Sequence, residues 1–414
     1  MLSNHHNRVQ YLLNRELTEI YITHALRHFA ISMVGIFVPL YFLNAGLAFH
    51  HVVLYYVLHS LVQICLFVFG SRLVCSLGVK HSILISQPLL ISFFIGMHFF
   101  STLKENLHPL ALVAGYALIF ASAMFFYWLP FHLDFAAFSK GKSEGRQIGV
   151  LQAISMFFGV FGPLAGAMII TTFSYGILFW VSAILLLLGT LPLFLSKDLK
   201  LAYAYHPKQL IGYGNWKNKS IYLAEGARQI SALVFWPVFL FFISIKISSL
   251  GLLYSLTNLL LAIFSIVVGR ISDSVNKNFL MRLGAIVHAI SLTARTLFRS
   301  LFLIFSVQSI GAMSFPLLEI PYASIIYNEA RKKGLALFII NQQIFFNLGR
   351  LFAGILCLSL FFSTGRTETA LFFAIFVGSL SAILMSYITE ERLDELESPV
   401  EKQKKKQKNK PTGH

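Results

Sequence analysis

Long runs of apolar residues, separated by short polar stretches, make up most of the chain between residues 20 and 388. An α-helix needs about 20 mostly apolar residues to cross the hydrocarbon core of a bilayer, and these runs are of that length. Breaks at charged residues and at Gly, Pro or Asn separate twelve of them, at 20–43, 49–70, 82–101, 109–130, 147–171, 174–195, 221–245, 249–269, 279–298, 300–323, 336–361 and 369–388. The pattern predicts an all-α membrane protein with twelve transmembrane helices.

The longest and most polar connection lies between the sixth and seventh runs, so the spans divide six and six. We expect a cytoplasmic N-terminal segment (1–19), an N-terminal bundle (20–195), an inter-bundle loop (196–220), a C-terminal bundle (221–388) and a basic, disordered cytoplasmic tail (389–414). The N-terminal segment lacks the short apolar region and small-residue cleavage site of a signal peptide. The first span is therefore expected to serve as its own insertion signal.

Basic residues are unevenly distributed between the two faces. Of the 33 Lys and Arg, the termini and the loops after even-numbered spans hold 25, whereas the other face holds five, including Arg295 in the short break between spans nine and ten. Cytoplasmic loops carry the excess of Lys and Arg. Both termini are therefore predicted to be cytoplasmic, in a plasma or inner membrane.

Cysteine labelling tests this orientation, in a background without the three native cysteines. A cysteine replacing Lys104 or Arg366 should react with an impermeant maleimide added outside intact cells. A cysteine replacing Lys217 or Lys405 should react only after the membrane is permeabilised, because these positions lie on the basic face. The reverse pattern would invert the predicted topology.

Composition agrees with a membrane protein, since 57% of the residues are hydrophobic and 12% are charged, against about 25% charged in soluble domains. The net charge of +16 is concentrated in loops beside the spans, so orientation explains it and no nucleic-acid partner is expected.

The three cysteines lie in or beside apolar runs and form neither a disulfide framework nor a zinc site. The chain also lacks a phosphate-binding Gly-Lys-Ser/Thr loop. We expect no cofactor, no metal and no enzymatic activity.

The two halves of the chain are related by an internal repeat with four matches in register. They are Ile20-Tyr21 through Arg27 with Ile221-Tyr222 through Arg228, Leu54-Tyr55 with Leu253-Tyr254, 71–80 with 269–278, and 145–166 with 334–354. In transporters with parallel six-span repeats the substrate site lies near the midplane, between the halves.

At these residues the chain resembles the major facilitator superfamily over nearly its whole length. The resemblance implies two pseudo-symmetric six-helix bundles, with spans one, four, seven and ten around a central cavity. The family's signature loop, G-x-L-a-D-r-x-G-r-k, follows the second span and has a weaker copy after the eighth. The matching residues are Gly78 and Lys80 in the first copy and Gly269, Arg270 and Asp273 in the second. Cys75 replaces the first Asp, so the family's cytoplasmic charge lock is expected to be weaker in the first half.

Span five carries a short glycine-proline motif. Gly159, Gly162, Pro163 and Gly166 look like a shortened form of the motif that exporters of the family carry there. This favours export. Gly162 and Gly166 also form a small-xxx-small face, and the alternative interpretation is ordinary helix packing with a proline kink.

Few ionisable side chains lie within the spans, and each costs at least about 2.5 kcal/mol at a helix centre without a partner or a water-filled cavity. They include His24, Arg27 and His28 in span one, Glu225 and Arg228 in span seven, and Glu319 in span ten. Arg27, Arg228 and Glu319 reach comparable depths, so they are expected to meet. The interpretations are a proton or substrate site, a salt-bridge gate between the halves, or snorkelling of the arginines.

Arg350 lies about 21 Å along span eleven, too deep for easy snorkelling. Gln343, Asn347 and Arg350 follow an i, i+4, i+7 spacing and form a polar stripe. The functional interpretation is recognition of an anionic or carbonyl-bearing substrate. The alternative is hydrogen bonding between helices.

These features predict a monomeric secondary active transporter in the lipid bilayer. It would move a small organic molecule by alternating access, with proton or other ion coupling through Glu319 or Glu225, and export is favoured over uptake. Two alternatives stay open: an uptake symporter of an organic anion, and a non-transporting receptor or scaffold on a transporter fold.

Overall fold

The structure is a computed structural model that describes residues 15–138, 144–191, 210, 213–272 and 274–388. Over these residues the chain is helical and has no strand. The twelve long helices are α1 (Arg15–Val34, continued by Val38–Asn44), α2 (Phe49–Cys65, continued through Leu66–Gly70 to Ser71–Leu77), α3 (Val79–His98), α4 (Pro109–Phe138), α5 (Glu144–Thr172), α6 (Tyr175–Thr190), α7 (Trp216–Ile230, continued through Ser231–Phe235 to Trp236–Phe242), α8 (Ile247–Ile271), α9 (Lys277–Leu297), α10 (Leu301–Lys333), α11 (Leu335–Thr364) and α12 (Thr367–Met385). Each predicted span corresponds to one of them. Residues 1–14 of the predicted N-terminal segment (1–19), most of the predicted inter-bundle loop (196–220) and the whole predicted tail (389–414) lie outside the described residues.

Eight of the described helices are long and apolar enough by themselves to span a membrane, namely α1 to α4, α8 and α10 to α12. The described apolar parts of α5 and α6, Gly159–Thr172 and Tyr175–Thr190, are shorter. Helices α7 and α9 are more polar because they carry Arg228 and Arg295, among other ionisable residues. Both arginines are buried within the protein, so the charged groups do not face lipid.

One departure from the predicted boundaries concerns a helix end. Pro130 was predicted to end span four, but α4 continues through it to Phe138, and its contacts with α2 and α3 override the local signal. Arg295 was counted with the basic residues of the non-cytoplasmic face. It lies in the last turn of α9, within the predicted bounds 279–298, where it is only 7% exposed and lies over the ring of Trp236.

The backbone shows the internal repeat more completely than the sequence does. The starts of equivalent helical segments are 198 residues apart in the first part of each half and 192 apart in the second. The pairs are Val38 and Trp236, Phe49 and Ile247, Val79 and Lys277, then Pro109 and Leu301, and Tyr175 and Thr367. The regular spacing supports two copies of one six-helix unit.

The turn after α1 is repeated after α7, and it requires a left-handed residue in both copies. Gly46 (φ 80°) and Ser244 (φ 63°) occupy the equivalent positions. The hydrogen bonds also match: Gly46 N donates to Leu43 O and Ser244 N to Phe241 O, both at 2.9 Å. Serine has a Cβ and is strained in this conformation, whereas glycine is not.

Ser244→Gly is therefore expected to stabilise the protein by about 1 kcal/mol, the cost of one left-handed non-glycine residue. The measurement is the thermal unfolding midpoint of purified protein in detergent. The opposite change, Gly46→Ser, should be destabilising, because a Cβ there would lie 2.7 Å from Lys104 Nζ. An unchanged or lower midpoint for Ser244→Gly would contradict the expected strain at this turn.

The two bundles touch mainly through α2 with α11 and α5 with α8. Where α2 begins, the ring centroid of Phe49 lies 5.9 Å from that of Phe242 and 5.0 Å from that of Phe361. At the opposite end, His132 Nδ1 of α4 lies 2.9 Å from Tyr327 Oη of α10. The bundles therefore contact each other at both ends of their interface.

Candidate functional site

Arg27 is the centre of a polar cluster in the first bundle. It is 2% exposed, and its Nη1 lies 3.5 Å from Ser86 Oγ and 3.4 Å from Gln87 Oε1 on α3. Its guanidinium carbon lies 3.8 Å from the ring centroid of Tyr127 on α4, and the Tyr127 hydroxyl also contacts His24 Nδ1. The Arg27 Nε and Nη2 atoms are buried and have no hydrogen-bond partner among the residues that the structure describes. The predicted cavity helices, α1 and α4, thus share one buried cation.

Glu225 is the corresponding acidic centre of the second bundle. Its Oε2 accepts hydrogen bonds from Tyr322 Oη of α10 at 2.5 Å and from Gln342 Nε2 of α11 at 3.0 Å. These two donors, from α10 and α11, fix the position of the carboxylate inside the bundle. The sequence predicted neither hydrogen bond, because uncharged side chains have no large burial cost to mark them.

Arg228 pairs with Glu319, and not with Glu225 three residues before it. The distance from Arg228 Nη2 to Glu319 Oε2 is 3.8 Å, longer than a hydrogen bond. The Arg228 guanidinium also lies 4.7 Å from the ring centroid of Phe315. The pair is therefore electrostatic and loosely held, which leaves both groups open to another partner.

The predicted meeting of Arg27, Arg228 and Glu319 does not occur. Arg228 and Glu319 both belong to the second bundle, on α7 and α10, while Arg27 is held by α3 and α4 of the first. The ion pair is therefore not a gate between the bundles in this conformation. The two arginines are also buried inside the protein, which does not fit snorkelling.

Arg350 lies on the polar stripe of α11, where α11 meets α2 of the other bundle. Its Nη1 is 3.5 Å from Asn347 Oδ1, and Asn347 Nδ2 donates to Gln343 O at 2.9 Å. Tyr55 and Tyr56 of α2 interact with it electrostatically. Among the described residues no carboxylate pairs with Arg350, and its Nε is buried without a hydrogen-bond partner. The stripe therefore presents a cation to the interface between the bundles.

The signature loops differ in a way that the backbone explains. Gly78 has φ 96° and ends α2, a conformation that favours glycine. Its counterpart Asn276 has φ −58°, and its side chain accepts hydrogen bonds from the first amides of α9. Asparagine thus replaces glycine as an N-cap. Lys80 is buried and Arg270 is exposed, whereas Asp273 lies outside the described residues.

The glycines of the α5 motif allow close packing against α1. A Cβ on Gly162 would lie 1.8 Å from Ser32 Oγ, and one on Gly166 would lie 2.1 Å from Met33 O. Any larger side chain would push α5 away from α1.

Pro163 connects the same helix to the other bundle. Proline has no N–H, so Gly159 O loses its helical donor, and Asn258 Nδ2 of α8 donates to it at 3.2 Å. Leu164 N donates to Ser255 Oγ of α8 at 3.0 Å. The motif therefore supports a hydrogen-bonded contact between the bundles.

Comparison with known proteins shows the fold. No protein-family model and no curated protein matches the sequence. Two solved structures are similar over 90% of this chain. The human organic anion transporter MFSD10 (TETRAN) has a TM-score of 0.63 at 10% identity over 99% of its own chain. A bacterial homologue of the iron transporter ferroportin, in an outward-facing state, has a TM-score of 0.65 at 13% identity over 98% of its chain. With two pseudo-symmetric bundles of six helices and these neighbours, the chain has the fold of the major facilitator superfamily.

Proposed function

We propose that the protein is a secondary active transporter that moves a small organic anion together with a proton by alternating access. The observation that carries this proposal is the charge balance of the two polar clusters. Three arginines, Arg27, Arg228 and Arg350, accompany two carboxylates, Glu225 and Glu319, and each of the arginines has a buried N–H group without a hydrogen-bond partner within the described part of the chain. A surplus of positive charge in a medium of low dielectric favours an anion.

The Arg228–Glu319 pair supplies the coupling step. While Glu319 is charged, it neutralises Arg228 across 3.8 Å. Protonation of Glu319 removes that negative charge, so Arg228 is left as an uncompensated cation and attracts an anionic group on the substrate. Proton binding and anion binding then stabilise each other, as linkage requires.

Because the proton and the anion stabilise each other's binding, they are carried in the same direction, and this favours uptake. An anion that enters alone against an interior-negative potential is opposed by about 2.3 kcal/mol per 100 mV. An accompanying proton cancels that charge, and the pH gradient then drives both solutes inward. The expected export direction depended on the α5 motif, whose contacts are accounted for by packing against α1 and α8. We therefore prefer the organic-anion symporter to the exporter.

The two structural neighbours agree on transport and differ in cargo. One is an organic anion transporter and the other is a homologue of an iron transporter. At 10% and 13% identity neither fixes the substrate. The described residues contain no group of three or more His, Cys, Asp or Glu that could hold a metal ion, so an organic anion is the better first test.

The decisive experiment is counterflow in proteoliposomes with a panel of labelled monocarboxylates and sulfonates. The proposal expects one class of anion to exchange at equal pH and to accumulate when the outside is acidified. Neutral analogues of the same shape, such as the corresponding amides, are the matched control and should not exchange. If no solute exchanges and the purified protein is folded, the scaffold alternative is favoured.

A further inference from the structure

Arg295 is a buried cation of the second bundle that the transport cycle does not use. Its side chain is 7% exposed, and its guanidinium carbon lies 4.6 Å from the ring centroid of the fully buried Trp236. The Nε and Nη2 atoms are buried without a hydrogen-bond partner among the described residues. An aromatic face attracts the charge, but it does not satisfy N–H groups at the edge of the guanidinium.

Two acidic side chains of the second bundle are paired with other arginines. Glu368 lies 3.0 Å from Arg299, and both are exposed. Glu319 pairs with Arg228. Within the described part of the chain, no carboxylate forms an ion pair with Arg295. Since a buried charge is costly without a counter-charge, the missing partner is a ligand of opposite sign.

Neutral neighbours also leave the two N–H groups of Arg295 without an acceptor. Trp236 Nε1 donates to Gln308 Oε1 at 2.7 Å, and Gln308 Nε2 lies 3.3 Å from Thr257 Oγ1. This orientation turns the amide oxygen of Gln308 toward Trp236. The amide oxygen of Gln308 therefore accepts a hydrogen bond from the Trp236 ring that lies under Arg295, and not from the guanidinium itself.

Tyr254 of α8 supplies a further donor. It lies near Arg295, and its hydroxyl is buried without a hydrogen-bond partner in the described part of the chain. His288 also lies near Arg295. Because His288 Nδ1 lies 3.1 Å from Gly311 O, which only accepts, Nδ1 carries the hydrogen and Nε2 is no donor in the neutral ring.

We propose that Arg295 and Tyr254 bind a small monovalent anion, of the size of chloride or formate, inside the second bundle. Arg295 Nε and Nη2 form a fork for such an ion, and the Tyr254 hydroxyl is the third donor. The residues around it lie on α7 to α10 of one bundle, so rocking of the bundles does not expose the ion alternately to the two sides. It is a resident counter-ion, and the site is independent of the proposed transport function.

Iodide quenching of tryptophan fluorescence tests the site. The purified full-length protein is titrated with iodide in gluconate buffer at constant ionic strength. Trp236 is fully buried, so iodide quenches it only by binding, whereas Trp128, Trp180 and Trp216 are 37%, 42% and 70% exposed and give linear collisional quenching. We expect a saturable component that chloride competes away and that Trp236→Phe removes.

Variants assign that component to the site. Arg295→Gln should weaken iodide binding at least tenfold, and Tyr254→Phe at least threefold. Arg299→Gln, which removes the exposed arginine four residues later, is the matched control and should bind as the wild type does. Linear quenching of the wild type overturns the proposal. A saturable component that is unchanged in Arg295→Gln also overturns the proposal. If Arg295→Gln does not fold, unchanged iodide binding by Tyr254→Phe overturns it instead.

Discussion

Replacing Glu319 by glutamine is expected to abolish accumulation of the substrate under a pH gradient while exchange at equal pH continues. Glutamine is permanently neutral, so Arg228 stays without its counter-charge and binds the anion whether or not protons are available. A gradient of one pH unit is worth about 1.4 kcal/mol, or tenfold accumulation for one coupled proton. In the variant the ratio of inside to outside substrate should fall to about one. Labelled uptake into proteoliposomes, with and without an acidic exterior, measures both quantities.

Glu368→Gln is the matched control for this experiment. Glu368 is exposed and pairs with Arg299 at 3.0 Å, and an exposed pair of this kind contributes little to stability. It should therefore accumulate substrate normally. Wild-type accumulation by Glu319→Gln would exclude Glu319 as the coupling residue. Loss of exchange together with loss of folded protein would instead identify a structural ion pair.

The architecture was largely predictable because the bilayer fixes the length and polarity of each helix. A helix that crosses it needs a long apolar run, and eight of the described helices meet that requirement by themselves. Local signals for helix ends were less informative. Pro130 marks an end in an isolated helix, yet α4 continues through it to Phe138, because neighbouring helices can compensate for the lost backbone hydrogen bond.

The sequence predicted which charged residues belong to the polar clusters, but not which of these residues are in contact. Buried charges are rare in membrane helices, so Arg27, Arg228 and Glu319 stood out. Which of them meet depends on how each helix is rotated, and a single sequence does not contain that information. Tyr322 and Gln342 donate to Glu225, and the sequence did not predict these contacts because both residues are uncharged and common.

The repeat is also clearer in the backbone than in the side chains. Gly46 and Ser244 share one turn geometry and one hydrogen-bond pattern, although the residues differ. The turn survives the substitution because its conformation is fixed by the helices on both sides. Equivalent positions in two halves of a repeat thus keep their geometry after their sequences have diverged.

Arg350→Lys is expected to weaken substrate binding about 5- to 150-fold, which corresponds to the roughly 1–3 kcal/mol lost when a charged hydrogen bond is removed. Lysine keeps the charge but loses the planar fork, including the donor that faces Asn347 Oδ1. The backbone should not move, because the adjacent Gly349 packs directly against α7, where a Cβ would lie 1.9 Å from Leu223 O. The variant should therefore insert and fold.

The concentration dependence of exchange in proteoliposomes measures this effect, and Arg350→Gln should weaken binding further because it also removes the charge. Arg366→Lys is the matched control, since Arg366 is exposed in the turn after α11. If Arg350→Lys and Arg350→Gln both exchange substrate with the affinity of the wild type, Arg350 contacts only the neighbouring helix. The anion would then have to be recognised by Arg27 and Arg228, which lie in different bundles and would approach it from opposite sides.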